Sequence, residues 1–208
     1  GKASLLLFQE FEFLSSKREY FMTHNPLSLP TRFVKQVGKL RKSLTISDAM
    51  DFIRYTQNLL KESEKQASIL VDQFPINLLP NLVDAIDRGV LIRIIESKDQ
   101  VLEPDFSKLT SEESRALDRT RSTPLLERRM LEDVRVQFFL SESSCVLCFP
   151  LNDDQYDYTG FLCEEEASLE WCNELFDYHW DQATARVIRK PVKSVRRGYG
   201  ASVKDQVI

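Results

Sequence analysis

The sequence predicts an α/β domain in which a mixed sheet is flanked by helices and preceded by a helical lead. Three observations carry that prediction. "ASILVD" (67–72), "NLLPNLVDAIDRG" (77–89) and "VLIRIIES" (90–97) read as strand, helix and strand with very short joints, which makes a βαβ unit of parallel strands with a right-handed crossover. Three β-like runs then crowd into 134–164, and the last periodic segment, from 168 onward, is an amphipathic helix. At 208 residues the chain has room for one sizeable core.

Residues 3–22, "ASLLLFQEFEFLSSKREYFM", carry apolar side chains at 7, 8, 11, 14, 21 and 22 between acids and bases, the spacing of a long amphipathic helix. Pro26 and Pro30 forbid its continuation. Its apolar stripe needs a cover, and three are open: its own domain, a second subunit, or a segment upstream. A second helical stretch is expected from Thr31 to Lys42. Ser47 then caps "DAMDFIRYTQNLLKESE", whose apolar positions 49, 52, 53, 56, 59 and 60 form one buried stripe.

Within the βαβ unit Asn77 is the expected cap, Pro80 fits the first turn, and Gly89 closes the helix. The charged stretch 98–132 contains "SEESRALDRTRSTPLLERRMLED", expected to be helical with an interruption at Pro124. Its cations Arg115, Arg119, Arg121, Arg128 and Arg129 fit a solvated helix face with interspersed acids, the alternative being an anion site. The strands "VRVQFFL" (134–140), "CVLCFPL" (145–151) and "YTGFLCE" (158–164) follow, the last two joined by the turn-rich "NDDQYD". The closing helix "SLEWCNELFDYHWDQATARV" turns positions 172, 175, 176, 179, 183 and 187 to the core and leaves Trp171 and Tyr178 nearer its edge. The expected organisation is a helical linker and dimerisation lead over 1–46, the α/β domain over 47–185, and a basic tail, expected to be flexible, over 186–208.

The formal charge of −4 hides an asymmetry. Arg186, Arg189, Lys190, Lys193, Arg196, Arg197 and Lys204 stand without an acid between 183 and 204, leaving 21 basic and 31 acidic residues on 1–182. So acidic a body excludes a nonspecific nucleic-acid surface there. The tail has the charge to touch phosphates, or to be a solvated terminus. No apolar run reaches the ~18 residues of a membrane span, residues 1–25 lack the form of a secretory signal, and a cytoplasmic location is the expectation. A start at Gly1-Lys2 instead of methionine leads us to expect a natural N-terminus upstream.

All four cysteines, 145, 148, 163 and 172, sit in apolar surroundings, as buried free thiols do. Cys145 and Cys148 form a Cys-x-x-Cys pair, but residues three apart on a strand point to opposite faces and cannot chelate one ion. No metal or other cofactor is expected. His24 and His179 lack the flanking motifs of a catalytic pair, and no Gly-rich phosphate loop is present. Asp153, Asp154, Asp157, Glu164, Glu165 and Glu166 read as turn formers and helix N-terminal charge. Nothing in the sequence demands catalysis.

The element order resembles one half of the phospholipase D fold. "YFMTHNPLSLPTRFVKQVGKL" (20–40), "LVDAIDRGVLIRII" (82–95) and "FPLNDDQYDYTGFLCEEEASLEWCNELFDYHWDQA" (149–183) resemble the C-terminal regulatory domain of archaeal winged-helix transcription regulators of the methanogenesis-regulator type. In active phospholipase D relatives the strand after "VRVQFFL" would begin with His-x-Lys and place an Asp further along; here the region reads "SESSCVLCFPL". A phosphohistidine cannot form without that imidazole, so the resemblance implies a degenerate fold with a retained pocket and lost chemistry.

In the related regulators this place binds a small effector. By position the resemblance puts Ser141, Ser143, Cys145, Thr159 and Gly160 near the pocket floor, with Arg93 or Arg119 as anion contacts. It further implies a winged helix-turn-helix upstream that contacts DNA, and a homodimer through the lead, with Leu7, Phe11, Leu14 and Phe21 at the interface. The expected function is effector sensing and dimerisation within a transcription regulator. A protein-interaction module with a filled pocket is the alternative, and a phosphodiesterase comes last.

Overall fold

One sheet with helices on both faces dominates a computed structural model that describes residues 11–72, 76–98 and 110–185, without the side chains of 112, 113, 121 and 122. Helical residues 11–16 (α1) pass through a turn at Lys17 into α2 (Arg18–Phe21). The Asn25 side chain accepts from the Leu27 amide and caps a 3₁₀ turn at Pro26–Ser28, so the two prolines do end the lead. There follow α3 (Thr31–Val34), a 3₁₀ turn (Val37–Leu40), β1 (Leu44–Ile46), α4 (Ala49–Glu62) and β2 (Gln66–Val71). A 3₁₀ turn (Ile76–Leu78) opens α5 (Leu79–Asp87), and β3 (Leu91–Ser97), α6 (Ser111–Ser122) and β4 (Leu126–Leu131) come next. The chain closes with β5 (Gln137–Ser141), β6 (Cys145–Cys148), β7 (Gly160–Cys163), α7 (Glu166–Gln182) and β8 (Thr184–Ala185).

The strand order is β1-β7-β6-β5-β2-β3-β4-β8. β2 pairs parallel with β3, and β3 with β4, whereas β2 pairs antiparallel with β5 and the remaining neighbours are antiparallel. The βαβ unit is thus present, and β2 is where the sheet changes from parallel to antiparallel pairing. Strand periodicity divides the core in two. Ala67, Ile69 and Val71 of β2, with Ile92, Ile94, Phe139, Val146 and Cys148, face α4, α5 and α6. Leu70, Ile95, Phe138, Leu140, Cys145, Leu147, Phe161 and Cys163 face α7 and the N-terminal lead. Cys145 and Cys148 therefore belong to opposite cores, as expected for strand residues three apart.

Several local expectations need correction. Residues 31–42 break into a short helix and a 3₁₀ turn, and Leu44–Ile46 adds an edge strand against β7. Asp48, not Ser47, caps α4 by accepting from the Asp51 amide at 2.9 Å, and α5 starts after Leu78 with no side-chain cap from Asn77. The stretch after Pro124 is strand β4 and not helix, because Leu126, Arg128 and Met130 alternate with Glu127, Arg129 and Leu131 along the free side of β3. Pairing there outweighs the helical propensity of Leu, Glu, Arg and Met. Trp171 is fully buried, its indole N–H donating to the Phe33 carbonyl at 3.2 Å, and α7 ends at Gln182 so that Thr184 and Ala185 can pair with β4. Leu7 and the tail 186–208 lie outside the described residues.

Candidate functional site

In open α/β sheets, ligands gather outside the carboxyl ends of the strands. The carboxyl ends of β2, β3 and β4 lie at the same sheet edge as the start of β5, the end of β6 and the start of β7. On the α4–α6 face of that edge, Cys148 pairs with Gln137; one step beyond the Leu70–Phe138 pair the same row continues to Val71, which pairs with Glu96, and Glu96 with Met130. Two of these side chains are polar and buried. Glu96 is 0% exposed and accepts from Arg128 Nε on β4 at 2.6 Å. Gln137 is 2% exposed, and its amide nitrogen has no hydrogen-bond partner among the described residues.

Neighbouring groups make the row acidic in character. Burial first, then Asp157 and Asp72, push the Cys148 thiol well above its ordinary range. Tyr156 donates to the Val134 carbonyl at 2.9 Å, and its phenol is likewise pushed up, by burial first and then by Cys148, Asp72 and Asp133. A buried charge and a buried amide cost several kcal/mol unless paired, so packing alone does not explain them. The arrangement offers hydrogen bonding in a low-dielectric setting; of the two histidines, His179 is on α7, across the sheet.

His24 belongs to a clasp between the lead and the loop 149–159. Its ring stacks on Tyr20 at 3.7 Å, with Nδ1 2.9 Å from the Tyr20 carbonyl and Nε2 3.2 Å from Asp157 Oδ1. The Tyr20 hydroxyl accepts from the Phe149 amide at 3.0 Å and donates to the Thr159 carbonyl at 3.2 Å. Main-chain bonds from Asn25 to Pro150 (2.8 Å) and from Asn152 to Thr23 (2.9 Å) complete the stitching. Burial alone would raise the Asp157 carboxyl, but the Thr159 amide and His24 outweigh it and hold it below the usual range.

The residues singled out from sequence do not converge. Ser141 and Ser143 occupy the β5–β6 hairpin at the opposite edge, where Ser141 Oγ accepts from the amides of Ser143 (3.3 Å) and Ser144 (3.1 Å). Cys145 is packed under α7 beside Cys163 and Cys172. Arg93 also points toward α7, 3.5 Å from Asp177 and 4.9 Å from the Phe176 ring. Arg119 pairs with Asp87 across the α5–α6 groove. Thr159 and Gly160 do reach the carboxyl edge, but a Cβ on Gly160 would lie 2.0 Å from the Leu147 carbonyl oxygen. Close strand approach accounts for that glycine. Sequence reasoning missed Glu96, Gln137 and Tyr156, and read Arg128 only as one cation of a helix face or anion site. An acid inside "VLIRIIES" and an amide inside "VRVQFFL" were the available signals.

The FilR1 middle-domain family, described as that of the methanogenesis regulatory protein FilR1, matches residues 54–182. The chain belongs to this family. Methanogenesis regulatory protein FilR1 of Methanothrix harundinacea (strain 6Ac) is 24% identical over 178 residues, which cover 80% of this chain and 38% of that relative. The chain thus matches well under half of the FilR1 relative's length. Two solved structures share the FilR1 middle domain's fold. TrmBL2, an archaeal chromatin protein reported to show a novel mode of DNA binding, has a TM-score of 0.55 at 19% identity, covering 69% of this chain and 54% of its own. NucT from Helicobacter pylori has a TM-score of 0.51 at 8% identity, covering 70% of this chain and 98% of its own. What these likenesses show is the fold, a mixed α/β sheet flanked by helices, the class that the sequence predicts. Among the described residues no group of three or more His, Cys, Asp or Glu is placed to hold a metal ion, and no helix is long and apolar enough to cross a membrane.

Proposed function

We propose that this chain is the effector-sensing and dimerising domain of an archaeal transcription regulator, non-enzymatic and working in the cytoplasm, whose DNA contacts come from a winged helix-turn-helix upstream. The observation that carries the sensing part is the Gln137 amide, buried without a hydrogen-bond partner among the described residues in a row that also buries the Glu96–Arg128 pair. A small polar effector with an acceptor for Gln137 would supply the missing hydrogen bond and draw the covering loop inward. Membership of the FilR1 middle-domain family supports a regulatory role. Dimerisation is supported by the lead: Phe11 is 71% exposed and Leu14 36%, an outward apolar stripe, while Phe21 turns inward against Phe13, Phe149 and Phe161. The interface we propose is therefore formed by Phe11 and Leu14 among the described residues.

Native mass spectrometry of the purified chain tests both parts at once. A dimer carrying a small-molecule adduct that disappears in Gln137→Leu supports the reading, and Phe11→Asp with Leu14→Asp should return it to a monomer. A bare dimer would shift the function to an interaction module with its pocket filled by side chains. A bare monomer would overturn both parts.

A further inference from the structure

Between α3 and α7 lies a groove of about 660 Å³ that the regulatory reading does not use. Glu174, Asp177 and Asp181 line one wall, spaced three and four residues apart and so on one face of α7. Arg32 lies opposite, its guanidinium 4.5 Å from the Phe33 ring and 4.4 Å from the Tyr178 ring. Arg93 takes Asp177 at 3.5 Å, whereas Glu174 and Asp181 have no ion-pair partner among the described residues. The wall is an acidic strip in which one of three carboxylates is paired, facing Arg32 across an aromatic floor, at the end of the helix that leads into the basic tail.

We propose that the basic tail of this same chain, residues 186–208, docks in this groove. Charge complementarity is the first argument: between 183 and 204 the chain carries seven bases and no acid. Reach is the second. The groove ends at Gln182 and the tail departs after Ala185. From Ala185 to Lys190 an extended chain spans up to ~17 Å, longer than the ~12 Å of helix from Gln182 back to Glu174, and the three further residues to Lys193 add up to ~10 Å. Tethering is the third: a segment held at millimolar effective concentration needs only pairs of modest strength. The docked tail keeps its cations away from other polyanions until salt or a competing phosphate backbone draws them off.

Zero-length carbodiimide coupling on the full chain, followed by peptide mapping, tests this. At low salt we expect amide links from Lys190 or Lys193 to Glu174 or Asp181, lost at ~1 M salt. In an equal mixture of ¹⁵N-labelled and unlabelled chains the links should stay within one copy. A second measurement covers variants in which those carboxylates are gone: in full-length Glu174→Lys with Asp181→Lys, trypsin should cut the tail roughly fivefold or more faster than in the parent at equal helical content. Three results would overturn the proposal: tail lysines that couple to carboxylates elsewhere, links that run only between differently labelled copies, or cleavage that is identical in both proteins and slows only when duplex DNA is added.

Discussion

Replacing Arg128 by Met should be among the most damaging single changes in this domain. Glu96 is 0% exposed and Arg128 15%, so the substitution removes a cation from beside a fully buried carboxylate. Removing one member of such a pair costs about 3–5 kcal/mol, in contrast to about 0–1 kcal/mol for an exposed pair such as Lys42–Glu165. For a chain of this length, about 4 kcal/mol lowers the melting temperature by roughly 8–16 °C. Urea unfolding followed by circular dichroism and by tryptophan fluorescence gives the free energy directly. The double variant Glu96→Leu with Arg128→Met removes both charges and should recover to within about 2 kcal/mol of the parent, because an apolar pair of similar volume needs no solvation. If Arg128→Met alone costs less than about 1 kcal/mol, Glu96 is hydrated in solution, and the argument that this edge is a dry polar row fails.

Other outcomes follow from single residues. Gly160→Ala drives a Cβ to 2.0 Å from the Leu147 carbonyl oxygen, so β7 must shift; a loss of about 3 kcal/mol or more is expected by chemical denaturation, larger than for Gly89→Ala, where φ is +90° but the surroundings are open. His179 is pulled down to about 4 by burial and then by Arg32, so the unfolded chain takes up a proton near 6.5 that the native state refuses. Stability should therefore fall as pH drops from about 6.5 to about 4, and His179→Gln should flatten that slope in a pH series of thermal melts. The four cysteine thiols, all buried and all pushed up, should resist an alkylating reagent at pH 8 in the native protein and react together only on unfolding.

The parallel centre of the sheet was legible because "ASILVD" and "VLIRIIES" are continuous apolar runs around a helix whose Pro80 and Gly89 sit where start and stop signals belong. β4 was not, since the composition of "LERRML" favours a helix and only the open side of β3 makes it a strand. β1 and β8, of three and two residues, carry too little pattern to register. Of the residues singled out, Thr159 and Gly160 lie at the carboxyl edge, while Ser141 and Ser143 sit where β5 turns into β6, a full strand length away. A register row draws one residue from each of five strands. Its members stand far apart in sequence, so no local motif announces Gln137 beside Glu96.

The clasp at Tyr20 and His24 bears on mechanics as well as on stability. The lead meets the loop 149–159 through main-chain and side-chain bonds at several points, from Tyr20 to Asn25, and so has no free swivel there. That same loop sends Tyr156 and Tyr158 onto the opposite face of the sheet, against the core that contains Cys148. One short piece of chain therefore holds both the direction in which the N-terminal helix departs and the cover of the buried polar row. The helical residues 11–21 therefore travel with the sheet as an outrigger travels with its hull.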